Sequence, residues 1–150
     1  PRRRQDIDFI FMAARPKQGR LLRPQLKFHH AAGVPVYGTS HLFTGRVAPE
    51  LDRDMNGVVF GAMPWILEGD YPEGISYGGS LQRLVAMGID AYALIPSLGI
   101  LSQYPHERFQ GVTGTLRVDE GNRVRRQMVW ARFKGGQPRV LEAELGAGRR

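Results

Sequence analysis

The sequence predicts an α/β fold with a parallel sheet and a β-hairpin toward its C-terminal end. Three observations carry this. Ile7 to Ala14 (IDFIFMAA), a helical stretch opened by Pro16, and Val34 to Tyr37 succeed one another as strand, helix and strand, the order of a βαβ unit. A third apolar run, Val58 to Met63, is closed by Pro64. Beyond Pro105 the apolar period falls to two, the spacing of half-buried strands. The 150 residues suffice for about one domain.

Taken in order, the first run is almost continuously apolar, which predicts a strand covered on both faces with Ile10 at its centre. In the helix that follows, Leu21, Leu22, Gln25, Leu26, Phe28, His29 and Ala32 fill one arc, and Arg20, Arg23, Lys27 and His30 lie opposite. The apolar arc is expected on the sheet and the basic arc in solvent. Pro24 should bend this helix and Gly33 end it. Residues 39–56 read as loop with one helical turn at Pro49 to Met55, and residues 68–80, with Gly69, Pro72, Gly74, Gly78 and Gly79, as a second loop. Ser80 is placed as the cap of a helix through Met87, and Gly88 separates it from another apolar helical stretch, Ile89 to Leu101, interrupted by Pro96. Val112, Leu116 and Val118 then alternate with Thr113, Thr115 and Arg117, and Asp119 to Asn122 supply a turn. Arg123 to Lys134 is expected as one extended strand with Gln127, Val129, Ala131 and Phe133 on one face. Gly135-Gly136 turns it into a last strand at Arg139 to Glu142.

Lys+Arg 21 against Asp+Glu 14 leaves a net charge of +7. Arg2, Arg3, Arg4, Arg149 and Arg150 supply five of these charges at the chain ends, so the remainder carries an ordinary +2 and no nucleic-acid partner is predicted. The absence of cysteine excludes a disulfide framework, a thiolate zinc site and a cysteine nucleophile within these residues. No apolar run approaches the roughly 18 residues of a membrane span, so none is predicted. Opening on Pro1 and a basic run, the chain reads as part of a longer protein.

No cofactor or metal site is predicted. His29 and His30 are neighbours and point about 100° apart on a helix, His29 partly buried and His30 in solvent, so they do not share an ion. His41 and His106 lack ligand-type neighbours. Ser40-His41 lacks a nucleophile elbow, Glu50, Asp52 and Asp54 read as acids favouring a helix N-terminus, and no phosphate-loop motif occurs, so no catalytic residue and no hydrolase or transferase activity are expected. Gly78-Gly79-Ser80 reads as a helix start. In open α/β sheets ligands sit beyond the carboxyl ends of the strands. That rule makes Arg15, Thr39, Ser40, His41, Pro64 and Trp65 the candidate cleft residues, for a small molecule whose identity the sequence leaves unknown. Arg20, Arg23 and Lys27, at i, i+3 and i+7, form a candidate partner-contact stripe. Changing Arg20 and Arg23 to Glu is expected to leave folding intact.

The succession DFIFMAARP (Asp8 to Pro16), VPVYGTSH (Val34 to His41), DMNGVVFGAMPW (Asp54 to Trp65), MGIDAYALIP (Met87 to Pro96) and the hairpin from Gly111 to Pro138 resembles the LppC/LpoA family of bacterial lipoproteins across nearly the whole chain. The closing hairpin is more distantly similar to the final segment of type I periplasmic solute-binding proteins. The resemblance implies a Rossmann-like lobe of a type I periplasmic-binding-protein-like fold with a C-terminal β-hairpin. Residues 1–150 would be a single α/β module, the second lobe plus the closing helix and hairpin of a larger two-lobed domain. It further implies a non-catalytic regulatory module of an outer-membrane lipoprotein in the periplasm. The implied partner is a class A penicillin-binding protein, activated in peptidoglycan synthesis by direct contact. A small-molecule binding lobe for amino-acid-like solutes is the alternative, and fold analogy alone does not separate the two.

Overall fold

In the computed structural model, residues 6–69 and 79–141 are described. They fall into two compact units. Residues up to Gly61 together with those from Trp130 onward form the first, and Ala62–Val129 form the second.

The first unit is built on a five-stranded sheet in the order β1-β2-β3-β7-β8, with β1 Ile10–Met12, β2 Val36–Gly38, β3 Val59–Ala62, β7 Val129–Lys134 and β8 Gln137–Val140. β1 pairs parallel with β2, and β2 parallel with β3, as the strand-helix-strand reading requires. β7 and β8 are antiparallel around Gly135 and Gly136, both at positive φ. Phe43, Phe60 and Phe133 fill the core, the rings of Phe60 and Phe133 having centroids 5.1 Å apart.

Four expectations change here. β1 is an edge strand, and only alternate residues of its apolar run are covered: Met12 is buried, whereas Phe11 is 63% exposed. Successive side chains of a strand point to opposite faces, and an apolar run does not say what lies against each. α1 spans Pro16–Leu26, its first turn closed by Gln18 Oε1 accepting the Arg15 N–H at 3.0 Å. Its packed face is the reverse of the predicted one. Gly19 and Arg23 are buried, while Leu21 is 72% and Phe28 76% exposed. Gly19 lets the helix approach the rest of the unit closely, since a Cβ there would lie 2.9 Å from Leu42 Cδ2. A π-helical turn follows at Lys27–Ala31, and His30, not Gly33, takes the left-handed conformation (φ 62°) that breaks the helix. His29, expected partly buried, is exposed with its ring against Phe28. α2 Pro49–Asp52 and a 3₁₀ turn at Arg53–Met55 match the predicted helical turn.

The second unit opens with α3 Pro64–Glu68, a helix the sequence reading omitted, ended by Gly69 at φ 70°. Residues 70–78 of the predicted glycine-rich loop lie outside the described residues. α4 Ser80–Leu94 runs through Gly88 without a break; a single glycine lowers helix stability by about 1 kcal/mol, which flanking residues offset. Gly79, not Ser80, is its N-cap. Pro96 reduces the helix to a 3₁₀ turn at Ile95–Ser97 before α5 Leu98–Gln103. The resulting stretch Ser80–Gln103 contains an 18-residue window of mean hydropathy 1.8 and is long and apolar enough to span a membrane by length and composition alone. Gly88 and Pro96 had concealed that continuity. One side of the stretch packs on the sheet of this unit, where Leu94 and Leu101 cluster with Leu116 and Val118 and Phe109 lies against them, while Leu84, Tyr92, Ile95 and Ile100 are exposed.

β4 Phe109–Gly111, β5 Gly114–Val118 and β6 Val124–Gln127 form an antiparallel sheet in this unit, with the predicted turn between β5 and β6. The single strand expected from Arg123 to Lys134 is divided at Met128, and its halves enter different sheets as β6 and β7. Of the last predicted strand, Arg139 and Val140 lie in β8, which begins two residues earlier, and Glu142 lies outside the described residues. Asp90 on α4 ties helix to sheet. Its carboxylate accepts the backbone N–H of Val112 at 2.8 Å and of Thr113 at 2.9 Å, and the Thr113 hydroxyl.

Candidate functional site

Because β1, β2 and β3 are parallel, their carboxyl ends share one edge of the sheet. In the first unit this edge opens into a hollow of ≈ 660 Å³, lined among others by Arg15, Lys17, Gln18, Thr44, Arg46 and Leu51. Arg15 sits between β1 and α1, and Thr44 and Arg46 on the loop after β2. Arg20 also lines it, its Nε donating to Asp52 Oδ1 at 2.8 Å. Four cationic side chains line the hollow, Arg20 among them paired with Asp52, and among the described residues no carboxylate does. Such an arrangement favours a ligand or partner group carrying negative charge.

Of the predicted cleft residues, Arg15 lines this hollow. Thr39, Ser40 and His41 do not. Ser40 and His41 lie in a 3₁₀ turn, Ser40–Leu42, directly after β2, and Thr39 caps it, its N–H donating to Met12 O at 3.3 Å and its O accepting from the Leu42 N–H. Pro64 and Trp65 start α3 in the second unit, where Trp65 is buried and its backbone N–H donates to Val112 O. Thr44 and Arg46 went unnoticed in the sequence. Their signal was their place on the first loop after a parallel strand.

The basic stripe also lies differently from the expectation. Arg20 pairs with buried Asp52, and Lys27 donates to Asp54 O at 3.2 Å with its ammonium 3.9 Å from the Asp54 carboxylate. Arg23 is only 6% exposed, its Nε and Nη1 have no hydrogen-bond partner among the described residues, and burial pushes its pKa below the ordinary value. Arg20 and Lys27 face their own chain because α2 and the turn after it present Asp52 and Asp54 to α1. Those acids, read from sequence as helix-terminal charges, act as ion-pair partners, while Glu50 pairs with Arg53. Glu at positions 20 and 23 would bring buried anions beside Asp52, so that double change is expected to damage folding. Among the described residues no group of three or more His, Asp or Glu side chains could hold a metal ion.

A parallel sheet with a basic hollow at its carboxyl edge, extended by a hairpin, is a periplasmic-binding-protein-like lobe. The fold recurs in "a putative branched-chain amino acid ABC transporter" from Chromobacterium violaceum, 31% identical, with TM-score 0.64 over 84% of this chain and 42% of that one. The model of the LppC putative lipoprotein family matches residues 1–136, and the chain belongs to that family. It is 28% identical to the penicillin-binding protein activator LpoA of Edwardsiella ictaluri over 138 residues, 87% of this chain and 20% of the relative. The chain thus spans about a fifth of the length of the curated relatives it matches. The LpoA C-domain of Haemophilus influenzae, described as a regulator of PBP1A, superposes with TM-score 0.80 at 24% identity, over 93% of this chain and 46% of that one.

Proposed function

We propose that this chain is a non-catalytic regulatory module that activates a class A penicillin-binding protein in peptidoglycan synthesis through protein contact. The observation that carries the reading is the family match over residues 1–136, whose curated relatives are named penicillin-binding protein activators. In this reading the chain supplies the second lobe, with its closing helix and hairpin, of a two-lobed domain, since it covers 46% of a solved relative's C-domain. The parent lipoprotein works in the periplasm, anchored to the outer membrane. The test is to add the full chain to a purified class A penicillin-binding protein and follow cross-linking of lipid-linked precursor. Faster cross-linking with measurable binding supports the reading, and binding without any change in rate or no binding at all refutes it.

The solute-binding alternative draws on the likeness to the Chromobacterium protein and on the basic hollow. It is the weaker reading because a hollow lined by Arg15, Lys17 and Arg46, with no carboxylate lining it among the described residues, suits an anion better than the ammonium of an amino-acid zwitterion. Calorimetric titration with leucine and valine tests it, saturable heat being its signature.

A further inference from the structure

The three-stranded sheet of the second unit carries an arginine-rich surface that the hollow at the parallel strands' edge does not include. Residues opposite one another across an antiparallel pair share a face. Gln110 lies opposite Thr115, Thr115 opposite Gln127, and Arg117 opposite Arg125, which places all five on one face. With Arg108, and with Arg126, which stands opposite Leu116 on the other face of the edge strand β6, also lining it, this surface forms a hollow of ≈ 300 Å³ that four arginines and, among the described residues, no carboxylate line. Like charges set directly opposite on neighbouring strands destabilise a sheet. Asp119 relieves Arg125 at 2.7 Å, but Arg117 and Arg126 form no ion pair among the described residues. Arg126 also lines an adjoining open hollow of ≈ 400 Å³, where Met87, Leu94, Leu98, Leu116 and Val124 give an apolar wall. Arg126 therefore joins a cationic surface to an apolar one.

We propose that this face docks an acidic, amphipathic segment of a protein partner. Two carboxylates meet Arg117 and Arg126, and one apolar side chain enters the adjoining hollow. Guanidinium groups match carboxylates with two parallel hydrogen bonds, and the partner's charges remove the repulsion between Arg117 and Arg125. A free phosphate or a nucleic-acid backbone has no apolar group with which to fill the adjoining hollow. The inference rests on the reading that the chain acts by protein contact and locates that contact.

The test compares the full chain with the variant Arg117→Glu plus Arg126→Glu, and with Arg132→Glu, an exposed change on β7, as the control. Circular dichroism and thermal melting check the fold, and the neutral pair Arg117→Gln plus Arg126→Gln replaces the reversal if it fails to fold. Affinity for a class A penicillin-binding protein is measured at low and high salt. The wild type should weaken as salt rises, the double variant should lose about tenfold or more, and the control should stay within about twofold. Equal affinity of wild type and double variant, or binding indifferent to salt, overturns the proposal. If the wild type fails to bind that protein, the partner reading fails separately, and a synthetic helical peptide bearing two Glu and one Leu per heptad becomes the probe. Loss of peptide binding in the double variant supports the surface. No peptide binding, or binding only to phosphatidylglycerol vesicles, overturns it.

Discussion

Asp90→Ala removes the single carboxylate that organises the turn between β4 and β5. Three donors lose their acceptor at once: the N–H groups of Val112 and Thr113, 2.8 and 2.9 Å away, and the Thr113 hydroxyl. Thr113 is fully buried, so its donors do not recover water without opening the unit, whereas Val112 is half-buried and recovers some. A hydrogen bond to a charged acceptor contributes about 1.5–3 kcal/mol, and a stranded buried donor costs about 1–3 kcal/mol. With partial rehydration at Val112 the expected loss is about 3–4 kcal/mol. Asp90→Asn, which keeps one acceptor oxygen, should lose about half of that. Gly111→Ala reaches the same clamp by another route, since its Cβ would lie 2.4–2.6 Å from the Asp90 carboxyl atoms. Amide hydrogen exchange at Val112 and Thr113 reports the clamp locally, and urea unfolding reports the total. The costs of Asp90→Ala and Gly111→Ala should be strongly non-additive, the second falling below about 1 kcal/mol once the carboxylate is gone. Additive costs, or unchanged protection at both amides in Asp90→Ala, would refute the clamp.

Arg20→Ala leaves Asp52 buried without its partner and should cost about 3 kcal/mol in urea unfolding, whereas a loss below about 0.5 would show the pair to be ornamental. Arg23→Met exchanges a buried guanidinium with two unbonded nitrogens for an apolar chain of similar length, and should raise stability by about 1 kcal/mol; a clear decrease would mean that the charge has a partner. Gly136→Ala places a Cβ 2.3 Å from Pro49 O at a φ of 72°, so a loss above about 2 kcal/mol is expected, and a neutral result would show that the β7–β8 turn relaxes freely. The Arg123 N–H and then the Arg125 side chain hold the Asp119 carboxyl down from 3.8 to about 2. Its contribution to the β5–β6 hairpin is therefore whole above about pH 4 and is lost as pH falls from there toward about 2. An NMR titration of Asp119 should show the low midpoint, and a midpoint near 3.8 would remove both contacts.

Much of the fold was legible because it is written locally. The strand-helix-strand order, the parallel neighbours Ile10–Met12, Val36–Gly38 and Val59–Ala62, the turn at Asp119 to Asn122 and the Gly135-Gly136 turn follow from short-range pattern and turn chemistry. The family was legible too, since its motifs are runs of adjacent residues. Of the candidate site, Arg15 was found from the rule that loops after parallel strands share an edge. Thr44 and Arg46 were not, since nothing in a loop's own residues says how far along it the sheet edge extends.

What tertiary structure alone decided was which side of each element is covered. The wheel of α1 distinguishes an apolar arc from a basic one, but that the arc with Gly19 and Arg23 is the covered one, and Leu21 and Phe28 the exposed ones, depends on residues elsewhere in the chain: Leu42 and Met55 against Gly19, and Asp52 against Arg20. Asp52 is 32 residues from Arg20, and no periodicity within a helix carries that separation. The same holds for Asp90, which meets donors 22 and 23 residues away. It holds as well for Arg117 and Arg125, whose opposition exists only once β5 and β6 pair in register. Helix and strand signals are short-range properties of the backbone, whereas ion pairs, buried hydrogen bonds and shared faces arise where the folded chain brings distant residues together.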